Sequence, residues 1–257
     1  LREGGPLGSG NFGEVITLLG SDYPPLVGKR SKEVSEIKHE EAVYAQLGEH
    51  PNIAKCYGIH AVGGKDMLVM ENVGGGDIAE VLEGLRKRFR DVAREREVVD
   101  PNDPERKRRI VNPVRKDPIS RAEYLGSIQH IVKGILQGLA HFQSLGIVHK
   151  DVKGDNIRLD PQTLQPKLVD MGLAQQVGPQ DDKPHAIRIT PPENLLPKDR
   201  KEDPNPTVTP VWDAFSVSKV LFPLLEQESP HEAKPEPAEI YQFLTGNPEP
   251  GKAHLFK

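Results

Sequence analysis

The chain has 257 residues, 36% of them hydrophobic and 28% charged, with a net charge of −4, enough to bury a sizeable core in one large or two small domains. No apolar run reaches the roughly 18 residues of a membrane span, and the single cysteine, Cys56, excludes an internal disulfide and a metal site built on thiolates. A reducing cytoplasm is the expected setting; no signal peptide or lipidation motif is present, and because Leu1 is not an initiator the sequence reads as an excised fragment.

In chain order, LGSGNFGEVITLLG (Leu7 to Gly20) reads as strand, glycine turn and strand, with β-branched residues after the turn. PLVGKR (Pro25 to Arg30) is a second short strand. From Glu33 to Leu47 the residues Val34, Ile37, Val43, Tyr44 and Leu47 recur near helical spacing, and Gly48 is the stop signal. DMLVMENV (Asp66 to Val73) is an apolar strand ending in a run of glycines. After Gly76 the pattern turns helical. Ser120 and Glu123 form a capping box, after which Tyr124, Leu125, Ile128, Ile131, Val132, Ile135, Leu139 and Phe142 keep the 3.6 period until Gly146. IRLD and PKLVD read as two short strands around a turn, and VWDAFSVSKVLFPLLEQ as a buried helix, with a Pro-rich loop from Lys198 to Pro210 before it. No internal repeat is evident. The elements make an α+β chain: a small sheet with one helix, then a mainly helical part.

Charge is uneven. From Arg86 to Lys116 twelve Lys/Arg face six Asp/Glu, a local +6 that leaves −10 for the rest. The other conspicuous segment is HKDVKGDN (His149 to Asn156). It carries a carboxylate, a lysine two residues on and an asparagine five residues on, groups that a phosphate-transferring site would use together.

With GSGNFGEV, Lys29, MENV, HKDVKGDN and DMG in one order, the chain resembles a protein kinase of the Ser/Thr type over about residues 5 to 228. The resemblance implies a bilobal fold, with an N-lobe over 1–72 and a C-lobe over 73–257. It implies ATP and Mg²⁺ as cofactors and a protein substrate. Leu7, Gly8, Gly10, Gly13 and Val15 would form the glycine-rich loop, where residues without Cβ let backbone N–H groups approach phosphates. Val27 would line the same pocket, and Lys29 would contact the phosphates while pairing with a helix carboxylate. Glu40 is the chosen partner, with Glu41 adjacent and Glu36 one turn earlier. Met70, Glu71 and Val73 would form the hinge against adenine, and Asp77 would contact ribose or serve as an N-cap. Asp151 would take the acceptor's proton, Lys153 would steady the transferring phosphoryl group, and Asn156 and Asp170 would hold the metal. Asp213 would anchor the catalytic-loop backbone, Pro191 to Glu193 would close the activation segment, and Tyr44, Cys56, His149 and Met171 would stack between the lobes.

Several positions depart from the pattern. Lys150 stands where an arginine commonly receives an activation-loop phosphate, and a lysine lacks that bidentate fork. Gly172 to Ile189 contains no Ser, Thr or Tyr, so activity without activation-loop phosphorylation is expected. Ala186 takes the place of a family threonine, with Thr190 its nearby substitute. Arg158 replaces an apolar residue beneath adenine, where its methylene stem would form the floor. An insertion over 85–119 holds the basic run and reads either as a surface for an anionic or protein partner or as a solvated charged face. No clear nucleic-acid motif is present. Only thirty residues follow Gln227, which suggests a reduced C-lobe of the kind found in bacterial effector kinases acting in a host cytosol. Rival readings are a pseudokinase scaffold, and a kinase-like fold acting on a small molecule or transferring a nucleotide.

Overall fold

A computed structural model describes residues 1–10, 13–20, 25–95, 119–180, 189–191, 194 and 207–226. Strands β1 (Arg2–Gly10), β2 (Gly13–Leu19), β3 (Leu26–Arg30), β4 (Cys56–Val62) and β5 (Lys65–Glu71) form one antiparallel sheet in the order β1-β2-β3-β5-β4. Helix α1 (Val34–Leu47) connects β3 to β4. Alternation along the strands separates two faces. Ile16, Leu18, Leu26, Val62, Met67 and Val69 pack into a small cluster on one side, while Val27, Leu68 and Met70 join the main core on the other.

The sequence reading starts its first strand at Leu7 and names no strand at β4. β1 begins earlier because cross-strand pairing carries it: Arg2 faces Leu19 and Glu3 faces Leu18, with register shifts around Pro6. β4 escapes because its burial does not alternate. Gly58, at φ +90°, sits at a register shift between Cys56 and Gly58 that breaks the period of two.

The second part is mainly helical. α2 (Ile78–Glu95) carries the chain into the basic stretch, of which 96–118 lie outside the described residues, as do Ala186, Pro192, Glu193 and everything after Glu226. α3 (Arg121–Ser144) starts at the anticipated capping box: Ser120 Oγ accepts from the Glu123 N–H, and the Glu123 carboxylate accepts from the Ser120 N–H. Short strands follow, β6 (Ile147–Val148), β7 (Ile157–Leu159), β8 (Pro166–Leu168), β9 (Gln175–Gln176), β10 (Gly178–Pro179) and β11 (Thr207–Val208), before α4 (Val211–Glu226). They pair as β6 with β9, β7 with β8 and β10 with β11, all antiparallel. Among the described residues no helix is long and apolar enough to cross a membrane.

One joint between the first part of the chain and the helical part lies just before β4. The segment Asn52–Ala54 exchanges backbone hydrogen bonds with Leu168, at 2.8 and 3.0 Å, and Asn52 Nδ2 donates to the Pro166 carbonyl at 2.9 Å. His141 on α3 meets the Leu47 carbonyl at 2.7 Å, and its ring stacks on His50 at 4.7 Å. α3 approaches this joint through Gly134, where an added Cβ would lie 2.4 Å from Pro166 and 2.6 Å from Asn52 Nδ2. Gly134→Ala is therefore expected to cost about 1–3 kcal/mol through overpacking. Gly84→Ala on α2, with nothing within 4 Å of the new methyl, is expected to stabilise by up to about 1 kcal/mol. Urea unfolding midpoints of the two variants should move in opposite directions.

Candidate active site

β2 and β3 present Val15, Val27 and Lys29 to one cavity of about 400 Å³ between the sheet and the helical part. Val27 and Lys29 share a face two residues apart, and Val15 pairs directly across from Lys29. Leu7, Gly8, Met70, Glu71 and Val73 line the same space, as do Glu40, Asn156, Asp170 and Arg158. Gly10 and Gly13 face each other at the end of the β1–β2 hairpin, whose tip, Asn11 and Phe12, lies outside the described residues. Ala54, Asn72, Gly74, Asp155 and Val169 complete the lining. These escape sequence reasoning: Ala54, Gly74 and Val169 carry no polar side chain to mark them, and Asn72 and Asp155 stand beside residues already singled out.

Lys29 is 5% exposed. Its ammonium lies 2.6 Å from Glu40 Oε2 and 2.7 Å from Asp170 Oδ1. Glu40 falls on the buried stripe of α1, with Ile37, Tyr44 and Leu47 at helical spacing, and its second oxygen accepts from the Met171 N–H at 3.0 Å. The neighbouring acids point elsewhere: Glu41 accepts from the Ile59 N–H at 2.8 Å, and Glu36 accepts from Ser31. Burial opposes the Lys29 charge, yet the two carboxylates outweigh it and hold the ammonium's pKa above its ordinary value. Burial likewise opposes ionisation of Asp170, and Lys29 overcomes it, leaving that carboxyl below the usual aspartate range. Burial pushes Glu40 up, against the pull of Lys29.

The second cluster sits on the loop after β6. Asp151 is 2% exposed, and its Oδ2 accepts from Lys153 Nζ at 2.7 Å and from Asn156 Nδ2 at 2.8 Å. Asn156 also reaches the Asp151 carbonyl at 2.9 Å, and its own carbonyl accepts from the Val169 N–H at 3.0 Å, next to Asp170. Asp213 on α4 takes the N–H groups of His149 and Lys150 at 2.8 and 2.9 Å. Burial raises the Asp213 pKa, and these donors and nearby charges offset only part of the rise. Tyr44 and Met171 lie in the main core with Cys56 packed against it, and His149 is fully buried. Burial pushes the Cys56 thiol up to about 11.

A family model for the protein kinase domain matches residues 1–249. The chain belongs to the protein kinase family. It has the bilobal α+β kinase fold, with the antiparallel sheet first and the helical part second. It is 29% identical to mouse myosin-IIIb over 181 residues, 66% of this chain and 11% of that protein. It is 27% identical to mitogen-activated protein kinase kinase kinase 3 of Arabidopsis thaliana over 186 residues, 68% of this chain and 25% of that one. It is 24% identical to protein kinase YpkA of Yersinia pseudotuberculosis over 169 residues, 62% of this chain and 20% of that protein. The kinase thus spans no more than a quarter of these relatives' lengths.

Two called positions have further partners. Asp77 Oδ1 accepts from the Glu80 N–H at 2.9 Å while its own N–H reaches Glu80 Oε2 at 3.3 Å, a capping arrangement at the start of α2. Arg158 bridges to Asp77 through the backbone and donates from Nη2 to the Gly75 carbonyl. A larger cavity, of about 660 Å³, shares Ala54 and Glu71 with the first. None of Lys29, Asp151, Asn156 or Asp170 lines it.

Arg158 lines the cavity, and its guanidinium donates to the Gly75 carbonyl. Arg158→Leu is expected to cost about 1–2 kcal/mol of stability through the lost charged hydrogen bond. Calorimetry should find the dissociation constant for magnesium nucleotide changed by less than about threefold, under 1 kcal/mol. A tenfold loss would mean that the guanidinium itself touches the nucleotide.

Proposed function

We propose that this kinase transfers the γ-phosphoryl group of ATP to Ser/Thr hydroxyls of a protein, with the lobe boundary near residues 72 and 73. The observation that carries the reading is the meeting of Lys29, Glu40 and Asp170 from three distant segments, 2.6 and 2.7 Å apart, on the wall of the cavity that Asn156 also lines. Lys29, held by Glu40, binds the α/β phosphates, under the backbone of Leu7 to Val15. Met70, Glu71 and Val73 hold adenine, and Asp77 both caps α2 and reaches toward ribose. Asp151 orients the acceptor hydroxyl and takes its proton. Lys153, already 2.7 Å from Asp151, neutralises charge on the phosphoryl group in transit.

The donor set fits a hard cation. Asn156 and Asp170 offer oxygens to one cavity, which suits Mg²⁺. Among the described residues no group of three or more His, Cys, Asp or Glu side chains could hold a metal without help, in keeping with a cation that also draws ligands from phosphate. When bound, Mg²⁺ would neutralise charge on the nucleotide's phosphates. The basic insertion over 85–119 is a surface for an anionic or protein partner, and the expected place of action is cytoplasmic.

Transfer from labelled ATP to a degenerate Ser/Thr peptide library tests the reading. Asp151→Ala is expected to lower the rate by about 10²–10⁴-fold, the usual loss for a positioned base. Asp170→Ala should lower it by at least about 10²-fold. Intact mass should show phosphate on the product; an added nucleotide would support nucleotidyl transfer, and binding without transfer a scaffold.

With no hydroxyl between Gly172 and Ile189, the kinase works without activation-segment phosphate. Phosphatase-treated protein, phosphate-free by intact mass, should keep its full rate. A rate that returns only on rephosphorylation would overturn this.

A further inference from the structure

Lys150 is fully buried, and the chemistry above makes no use of its charge. The residue adopts φ +66°, a left-handed conformation that a side chain disfavours, and it immediately precedes Asp151. Its backbone is held on both sides: the N–H donates to Asp213 Oδ1 at 2.9 Å, and the carbonyl accepts from Trp212 Nε1 at 3.1 Å. Its ammonium lies 5.4 Å from the Trp212 ring centroid, within cation–π range, and donates to Gln175 Oε1 at 2.8 Å.

Gln175 passes the connection on. Its Nε2 donates to the Pro179 carbonyl at 2.6 Å. Its backbone belongs to β9, paired Val148 to Gln175 beside the catalytic loop, while Pro179 belongs to β10, paired with Thr207 of β11. Val148, Val208 and Trp212 form one buried cluster beneath this arrangement. A single carboxamide thus links the residue before Asp151 to the strand pair that leads the chain away from the metal-side carboxylate. An amide suits both ends, because its oxygen accepts from the ammonium and its nitrogen donates to the carbonyl.

We infer that Gln175 is a positioning residue: its side-chain amide, spanning the Lys150 ammonium and the Pro179 carbonyl, sets residues 175–179 against Asp151 in place of a phosphate. The inference rests on the proposal that transfer needs no activation-segment phosphate, and it adds the device that does that work. A phosphate arriving at Lys150 would have to displace Gln175 from a fully buried ammonium.

The test uses phosphate-free full chain and two variants. Gln175→Met removes both hydrogen bonds at similar length, whereas Gln175→Glu keeps an acceptor for Lys150 and loses the donor to Pro179. With magnesium ATP and the degenerate Ser/Thr peptide library, Gln175→Met should lower kcat/KM for peptide about tenfold, the scale of a small misplacement. Gln175→Glu should fall between it and the wild type. The dissociation constant for magnesium ATP, by calorimetry, should be unchanged in both. Hydrogen exchange at the amides of Gln176, Val177 and Gly178 should quicken in Gln175→Met. Wild-type rate and exchange in that variant would overturn the inference while leaving phosphate-free activity standing. Loss of nucleotide binding together with transfer would also overturn it, since the amide would then support the whole site. If phosphate-free wild type is inactive, the underlying proposal falls first and takes this one with it.

Discussion

A buried ammonium placed between two carboxylates is the constraint on which the rest of this kinase depends. Taking Lys29, Glu40 and Asp170 out of water is costly, and the cost is offset only if the charges meet at short range with their remaining oxygens bonded. Glu40 meets both conditions, its second oxygen accepting from Met171, while Asp170 takes the Gly172 N–H at 3.3 Å on the same Oδ1 that meets Lys29. Removing Lys29 would leave two buried carboxylates without their cation, so β3, α1 and the segment after β8 are bound to a common position. Asp170 is itself held at φ +65°, a conformation that costs a side-chain-bearing residue roughly 1–3 kcal/mol and survives only where its surroundings over-determine it. The ion contacts supply that determination.

The second fixed point is Asp213, a buried carboxylate on α4. Burial disfavours its charge, and two converging N–H groups from His149 and Lys150 repay part of the penalty. Those same donors lose their freedom in the exchange. The backbone leading to Asp151 is thus set by α4, a helix more than sixty residues away in sequence, with Trp212 adding a third hydrogen bond from the same helix. The first fixed point lines the cavity, and Asn156 joins the two, its side-chain amide donating to Asp151 and its backbone carbonyl accepting from Val169 beside Asp170.

Much of this was legible in the sequence, for reasons that differ by element. The capping box at Ser120 and the long apolar period after it specify α3 locally. The glycine hairpin, Lys29 and the HKDVKGDN segment stand out because chemistry-bearing residues recur at family spacings. Glu36, Glu40 and Glu41 could not be separated by spacing, because two of them share a helix face; reach across the cavity decides between them, and only Glu40 meets Lys29. β4 was hidden by the shift at Gly58. Gln175 carried no signal at all, since a glutamine's meaning depends on which donor and acceptor the fold brings to its two ends. Of the two readings of Asp77, the structure shows the N-cap.

The two lysines buried among the described residues illustrate how charge and geometry divide the work. Lys29 meets carboxylates, whose attraction reaches far and tolerates displacement in a low-dielectric setting. Lys150 meets an amide oxygen and an indole face, whose attraction depends on close approach and orientation. A cation drawn to Asp170 competes with Lys29 for that carboxylate, and the ammonium can yield ground there because Glu40 still holds it at 2.6 Å. The Lys29 cluster is therefore suited to exchanging ligands, and the Lys150 cluster to keeping a chain segment in register. The proposed site, which must admit a polyanion and a metal yet hold a proton acceptor still, needs both kinds of contact.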